Sequence, residues 1–475
     1  MKRLLSILVF VSVSILLFSQ TAEEYYQGGL DKIDNGDNKA AIKDFNRAFK
    51  LNSERDDILF ARAYAKTNLN DIKGAIEDYS LAIEIDPNDY ANYYNRAHLL
   101  NDHGEHKKAV EDYTKAIELN PNFASAYYNR GIAYERLEDY EKAISDFTDV
   151  FMLETDNLIA LFKVGQCYNR NAQYDDAKEV LNEVLWLDTS FIEAYYELGM
   201  AKFFLTNYED ALADFSIVIV KEPKNDKALY GRGLTKSYLE DWEGAIEDFN
   251  AAIEIDNTNE DYFYERAYCY SELEDYNKSI LDFDRVLELN SNMADAYFMR
   301  AICNDYLEDY KSSIKDYSMA IKIDPIDWDA YFNRGNAYGD IGKLKKAVED
   351  FNVFIKHNPQ DYDAYYFRCF YKIDLKDYED AVDDLNKALE INTDCQYVYF
   401  SRAYAYDCLN MLEEAIIDYQ KSIIYCYDIG ESYYNLGLIY IELDQIEDAC
   451  ESFKKALENG NEDARELFDD YCEEY

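Results

Sequence analysis

The segment Ala75–Ile76–Glu77–Asp78–Tyr79 decides the reading of this chain, because it returns. It comes back as Ala109–Val110–Glu111–Asp112–Tyr113, as Ala143–Ile144–Ser145–Asp146–Phe147 and as Ala245–Ile246–Glu247–Asp248–Phe249. The spacings are multiples of 34 residues. A fixed period of this length marks supersecondary units that stack on one another. A frame starting at Ala22 and stepping by 34 holds thirteen repeats without insertion or deletion and ends at Asp463. Length alone, 475 residues, suggests about three domains at ~150 residues each, and the period replaces that count with one array.

Within the frame, residue size is ordered. Position eight is small throughout, as in Gly29, Ala63, Gly131 and Cys369. Position twenty is Ala in eleven repeats and Ser279 or Ser313 in the other two. Position twenty-four is aromatic or Leu, as in Phe45, Tyr79, Leu181 and Phe453. Small residues let two helices approach closely, and large ones fill the space beside them. Apolar spacing is helical in two stretches per repeat, separated by a short polar turn such as Leu137–Glu138–Asp139. Each unit is therefore predicted to be a helical hairpin that buries its apolar face only by stacking on neighbours. All five prolines (Pro87, Pro121, Pro223, Pro325, Pro359) fall at position thirty-two, where they close a repeat after its second helix.

This pattern resembles the tetratricopeptide repeat over residues 22–463, with Tyr127, Gly131, Tyr134, Ala143 and Phe147 at that family's signature positions. The resemblance implies an all-α fold, a right-handed α-solenoid of thirteen hairpins whose first helices line a concave groove. Repeat five, around Val164 and Leu181, is divergent, and several repeats lack the terminal proline. Residues 464–475 follow the array, and Leu467, Phe468 and Tyr471 share one helical face there. They are expected to form a short capping helix.

The N-terminus reads as an address. Lys2 and Arg3 precede the apolar run Leu4–Phe18, and Ser19–Gln20 open a polar segment. That is the form of a secretory signal, residues 1–20, cut after Ser19 or Gln20. The run is shorter than the roughly 20 residues of a spanning helix; an uncleaved anchor is the alternative. The expected location is exported: periplasm, cell surface or secreted.

Charge narrows the partners. With 96 acidic and 48 basic side chains the net charge is −48, which repels nucleic acid and anionic membranes. Apolar content of 48% excludes a disordered acidic tail. Position five is aromatic in every repeat and shares a face of the first helix with positions two, nine, twelve and thirteen. Packing between adjacent first helices is one role for these rings, and an aromatic ladder facing a ligand is the other. In repeats eight to thirteen the remaining positions on this face hold Asp261, Glu272, Asp295, Asp305, Asp329, Asp340, Asp363, Asp374, Asp407, Glu431 and Glu442, with no Lys or Arg. Earlier repeats mix Glu23, Asp34, Asp57, Asp102, Glu135 and Glu193 with Arg136, Arg170 and Lys227. The ligand-binding set is therefore Asp261, Tyr264, Asp295, Phe298, Asp329, Phe332, Asp363, Tyr366, Asp374 and Tyr404. Its expected ligand is a basic, extended or helical segment of a partner protein, since carboxylates and ring faces both attract cations. A neutral or cationic polysaccharide stacked on the rings is the alternative; salt would weaken the first mode and not the second. Family members that clamp a peptide's terminal carboxylate use Lys and Asn from successive first helices; Asn95, Asn129, Asn333 and Asn435 lack such basic company.

Arg stands at position seven in nine repeats, and each of those carries Asp at position twenty-three. Arg266, Arg300, Arg334 and Arg368 with Asp282, Asp316, Asp350 and Asp384 are examples. The co-occurrence predicts a structural Arg–carboxylate pair, within a repeat or across to its neighbour. Gly28 with Asp44 and Leu198 with Asp214 break the rule. No cofactor, metal site or catalytic constellation is expected. His98, His103 and His106 straddle a helix and a turn, and Asp34–Asn35–Gly36–Asp37 reads as turn chemistry. Nine cysteines carry no CxxC; Cys167, Cys269 and Cys303 read as small core fillers, and Cys450 with Cys472 is the most plausible disulfide.

Overall fold

The computed structural model describes residues 21–472, and the expected signal segment 1–20 lies outside them. Among the described residues there are 27 α-helices and no strand. First helices run from repeat position one to position thirteen, as in Ala22–Asp34, Ala124–Arg136 and Trp328–Asp340. Second helices begin at position seventeen, as in Asn38–Leu51, Tyr140–Leu153 and Leu344–His357. Repeat five obeys the same bounds with Leu158–Arg170 and Tyr174–Leu187, so its divergence is one of side chains. The last repeat starts one residue early, at Ile429. The chain is an all-α solenoid of helical hairpins.

The turn inside each hairpin follows from its end groups. Asp at position sixteen caps the second helix: Asp37, Asp71, Asp139, Asp241, Asp275 and Asp309 each accept a hydrogen bond from the backbone three residues on. The residue before the cap is left-handed in all thirteen repeats, from Gly36 (φ 77°) to Asp444 (φ 59°). This closes the first helix with a bond from position sixteen back to position eleven, as from Asn207 N to Lys202 O at 2.9 Å. Only Gly36, Gly104 and Gly342 are glycine there. Thr206 holds φ 59° on an exposed turn, the least suited of the set because it is β-branched. Thr206→Gly should stabilise by about 1 kcal/mol, the strain of the left-handed state less the added freedom of unfolded glycine. Urea unfolding reads this, and a destabilised variant would refute it.

Burial follows the size order. Position twenty is fully buried in every repeat, Ser279 and Ser313 included. At position twenty-four Phe45, Phe147, Phe215, Phe351 and Phe453 are likewise at 0% exposure, each contributing about 1.5–3 kcal/mol. Position eight yields to that ring: a Cβ on Gly29 would stand 2.4 Å from Phe45, and one on Gly131 would stand 2.9 Å from Phe147. Cys167, Cys269 and Cys303 are buried.

The Arg–Asp pair forms inside one repeat. In at least eight repeats Nε and Nη2 of Arg grip both oxygens of Asp sixteen residues on; Arg334 holds Asp350 at 2.7 and 2.7 Å, and Arg266 holds Asp282 at 2.7 and 2.6 Å. Arg300 with Asp316 and Arg368 with Asp384 do the same. The remaining Nη1 reaches the preceding repeat's second helix. It donates from Arg62 to Asn46, from Arg96 to Ser80, from Arg334 to Ser318 and from Arg402 to Asn386. One guanidinium thus closes its own hairpin and ties it to the repeat before. The two exceptions have a substitute at position eleven: Lys32 pairs with Asp44, and Lys202 with Asp214 at 2.6 Å. Position eleven lies one turn beyond position seven on the same face, so either cation reaches the carboxylate.

Contacts divide the chain into two compact units, one ending at Leu239 and the other beginning at Glu240. Within each unit adjacent first helices touch at several junctions, such as Leu158–Arg170 with Ile192–Phe204 and Trp328–Asp340 with Tyr362–Asp374. Among the described residues no comparable contact joins successive second helices, so the first-helix side is the inner side of each stack. At the C-terminus the helix Ala464–Cys472 packs Leu467 and Phe468 against Cys450 and Phe453. A disulfide joins Cys450 to Cys472 across a Cα separation of 5.6 Å. Tyr471, expected on the buried face, is 45% exposed; Cys472, one residue on, is buried in its place.

Candidate binding face of the first helices

The position-five rings do not mainly pack between adjacent first helices, as one sequence reading had it. Where position twenty-four is aromatic, the ring leans on it within its own hairpin; in repeat five, with Leu181 there, Phe162 meets Phe191 at 5.0 Å. Tyr264 meets Phe283 at 5.6 Å, Phe298 meets Tyr317 at 5.7 Å, and Phe332 meets Phe351 at 5.2 Å, all edge-on. The hairpin brings positions five and twenty-four together by the same close approach that small residues at eight and twenty permit. Repeat eleven has Leu385 at position twenty-four, and Tyr366 turns instead to Tyr397 of the next first helix at 4.4 Å. Each ring is half-buried, one edge in the core and the other on the inner face. Tyr404 is 42% exposed.

The carboxylates divide by depth. Asp261, Asp295, Asp329 and Asp374 are exposed. Asp363 is half-buried and accepts a hydrogen bond from the Tyr397 hydroxyl at 3.0 Å. Asp305 accepts from the Tyr317 hydroxyl at 2.6 Å, while its other oxygen is buried without a hydrogen-bond partner. Loss of water around half-buried Asp305 and Asp407, and partial loss around exposed Asp261 and Asp340, hold their carboxyls above the ordinary aspartate range. Glu265, at position six, went unremarked in the sequence. Burial first, and repulsion from Asp261 one turn earlier second, push its carboxyl up to about 7. A carboxylate beside a position-five tyrosine was the available signal.

The unit ending at Leu239 handles charge differently. Buried Glu135 accepts from Lys163 and lies 3.2 Å from Arg170. Gln166 and Asn169 of the same helix both donate to Glu197 at 2.9 Å. Acid and base there satisfy one another. In repeats eight to thirteen the inner-face positions supply no basic residue to do so, and Lys372 at position eleven is committed to Asp384 at 2.8 Å.

The histidines do not converge. His103 bonds the Leu99 carbonyl, and His106 bonds the Asn101 side chain. Among the described residues no group of three His, Cys, Asp or Glu could hold a metal. Gly36 is left-handed and Asp37 caps Ala40, so the segment 34–37 is a turn.

A solenoid of stacked hairpins with a side-chain-rich inner face belongs to the class of protein–protein interaction scaffolds. The chain belongs to the tetratricopeptide repeat family. Models described as tetratricopeptide repeat match residues 26–90, 79–111, 124–157, 159–188, 196–260, 260–293, 329–361, 362–395 and 430–459. One described as TPR repeat matches 97–138 and 306–342. No curated protein matches the chain. Similar solved structures include a tetratricopeptide repeat protein from Parabacteroides merdae (22% identity, 52% of this chain, 98% of that one, TM-score 0.38). Another is the C-terminal part of a TPR repeat-containing protein from Cytophaga hutchinsonii (19%, 50% and 98%, TM-score 0.45). A third is YrrB, titled a TPR protein with an unusual peptide-binding site (30%, 38% and 94%, TM-score 0.34).

Proposed function

We propose that the inner face of repeats eight to thirteen captures a basic, extended or helical segment of a partner protein, without catalysis. The observation that carries this reading is the unbalanced charge of that face: exposed Asp261, Asp295, Asp329 and Asp374 over half-buried rings, with no Lys or Arg among the inner-face positions. The paired network around Glu135 in the other unit shows what an acid on this face looks like when its partner is internal. An incoming ammonium or guanidinium finds carboxylates beside ring faces, and each attracts it. Among the described residues no helix is long and apolar enough to cross a membrane. The leader Lys2–Gln20 supports an exported location, where the partner would be met.

The test is capture of a fluorescein-labelled Lys- and Arg-rich peptide by the full chain. Asp295, Asp329 and Asp363, all changed to Lys, should weaken it at least about tenfold while circular dichroism stays helical. Affinity should also fall steeply with salt. Retained capture by the folded variant sinks the site, and salt-independent capture sinks the electrostatic mechanism.

A further inference from the structure

The outer faces of the second helices of repeats nine and ten reverse the sign of the chain on adjacent hairpins, as the second helix of repeat one does alone with Lys39, Lys43 and Lys50. Helix Tyr310–Ile323 of repeat nine carries Lys311, Lys315 and Lys322, and helix Leu344–His357 of repeat ten carries Lys345, Lys346 and Lys356. All six are exposed. Offsets of four and eleven residues put Lys311, Lys315 and Lys322 on one stripe, as the offset of eleven does for Lys345 and Lys356. Two nearby acids are withdrawn, since Asp316 and Asp350 are buried and gripped by Arg300 and Arg334; exposed Glu349, at the position matching Lys315, is the one acid left on the stripe of repeat ten. Some exposed lysines on other second helices find a carboxylate three residues away, as Lys142 does with Asp139, Lys278 with Asp275 and Lys387 with Glu390. In repeat ten the cap position is itself a lysine, Lys343, and exposed Glu349, three residues beyond Lys346, does not pair with it. Among the described residues none of the six makes an ion pair. Neighbouring repeats do not extend the patch. At the matching positions repeat eight has Asn277, Leu281 and Glu288, and repeat eleven has Glu379, Asp383 and Glu390.

We propose that this basic island docks a short acidic segment of a partner protein, giving the C-terminal unit a second recognition surface opposite in sign to its inner face. Charge complementarity selects the occupant. Packed helices lie about 8–10 Å apart, within roughly one screening length of about 8 Å at physiological salt. A peptide bearing a few carboxylates across both helices therefore feels all six lysines at once. A nucleic acid or an anionic bilayer is larger than the island and meets Glu288 on one side and Glu379, Asp383 and Glu390 on the other.

The experiment measures anisotropy of a fluorescein-labelled 12-residue oligoglutamate with the full chain at low and physiological salt. Saturable binding is expected, weakened about tenfold by salt and at least about tenfold by combined Lys311→Glu, Lys315→Glu, Lys345→Glu and Lys356→Glu. These sites are exposed, so helicity should not change, and capture of the Lys- and Arg-rich peptide on the inner face should persist in the same variant. That persistence separates failure of this proposal from failure of the inner-face reading. Unchanged oligoglutamate affinity in the variant overturns the proposal. An equal loss from Lys39→Glu with Lys43→Glu in repeat one also overturns it. Lysine-dependent binding of duplex DNA or phosphatidylserine vesicles in place of the peptide, or lysine-dependent self-association in sedimentation, does so as well.

Discussion

Arg334→Leu should destabilise repeat ten by about 3–5 kcal/mol, the cost of breaking a buried ion pair from one side. Asp350 is 6% exposed and takes both its charged hydrogen bonds from Arg334. The variant also removes the bond to Ser318 of repeat nine at 3.1 Å and the guanidinium stacked 5.4 Å from Tyr331. The loss thus falls on a hairpin and on its junction with the preceding one. In a stack where each repeat touches only its neighbours, such a loss is local, so residue-resolved hydrogen exchange is the measurement of choice. Protection should drop in repeats nine and ten before it drops elsewhere. Repeat five supplies an internal control, because Val164 and Val180 replace both partners and Val164 is buried at 4%. Arg334→Val with Asp350→Val should therefore recover most of the lost stability. An unchanged single variant would show that the pair contributes nothing, and an unrecovered double variant would assign the loss to packing.

Glu265→Gln should stabilise the C-terminal unit by about 2 kcal/mol above neutral pH and by almost nothing near pH 4. Burial and nearby Asp261 raise the folded carboxyl to about 7 from an ordinary 4.5. Below pH 4.5 both folded and unfolded chains hold the proton, and pH has no effect through this group. Between there and pH 7 the unfolded chain releases it first, so stability falls as pH rises and then levels off. A tenfold difference in proton affinity between the two states corresponds to about 1.4 kcal/mol, and partial solvent access reduces the total. Glutamine removes the slope. Urea midpoints at pH 4, 6 and 8 read the difference, and a gain that is equal at all three would refute the protonation account. The same group links folding to the proposed ligand: a bound cation would favour the ionised form and flatten the slope in the native chain.

Much of this was legible in the sequence for a single reason. A strict period of 34 residues converts every side chain into a repeat position, and positions report local packing rules. Small residues at eight and twenty with large ones at twenty-four specify a hairpin, and Asp before the second helix specifies its cap. The pairing of Arg at seven with Asp at twenty-three was visible as co-occurrence. Its direction was not, because sixteen residues forward and eighteen back are equal in a sequence. Only the hairpin's closure decides that Arg334 takes Asp350 and hands its third donor to Ser318.

Four further facts belong to tertiary structure alone. Lys32 and Lys202 replace the missing arginines because position eleven overhangs the same carboxylate. The position-five rings lean on their own second helix, since the turn brings that ring nearer than the next repeat's. Glu265 is raised because packed neighbours strip water from it and Asp261 lies one turn away. Lys311, Lys315 and Lys345 form an island because Asp316 and Asp350 beside them in sequence turn inward to buried arginines. Periodic local constraints are written in the chain; the choice between partners that the period makes equivalent is settled by which ones the packed helices bring within reach.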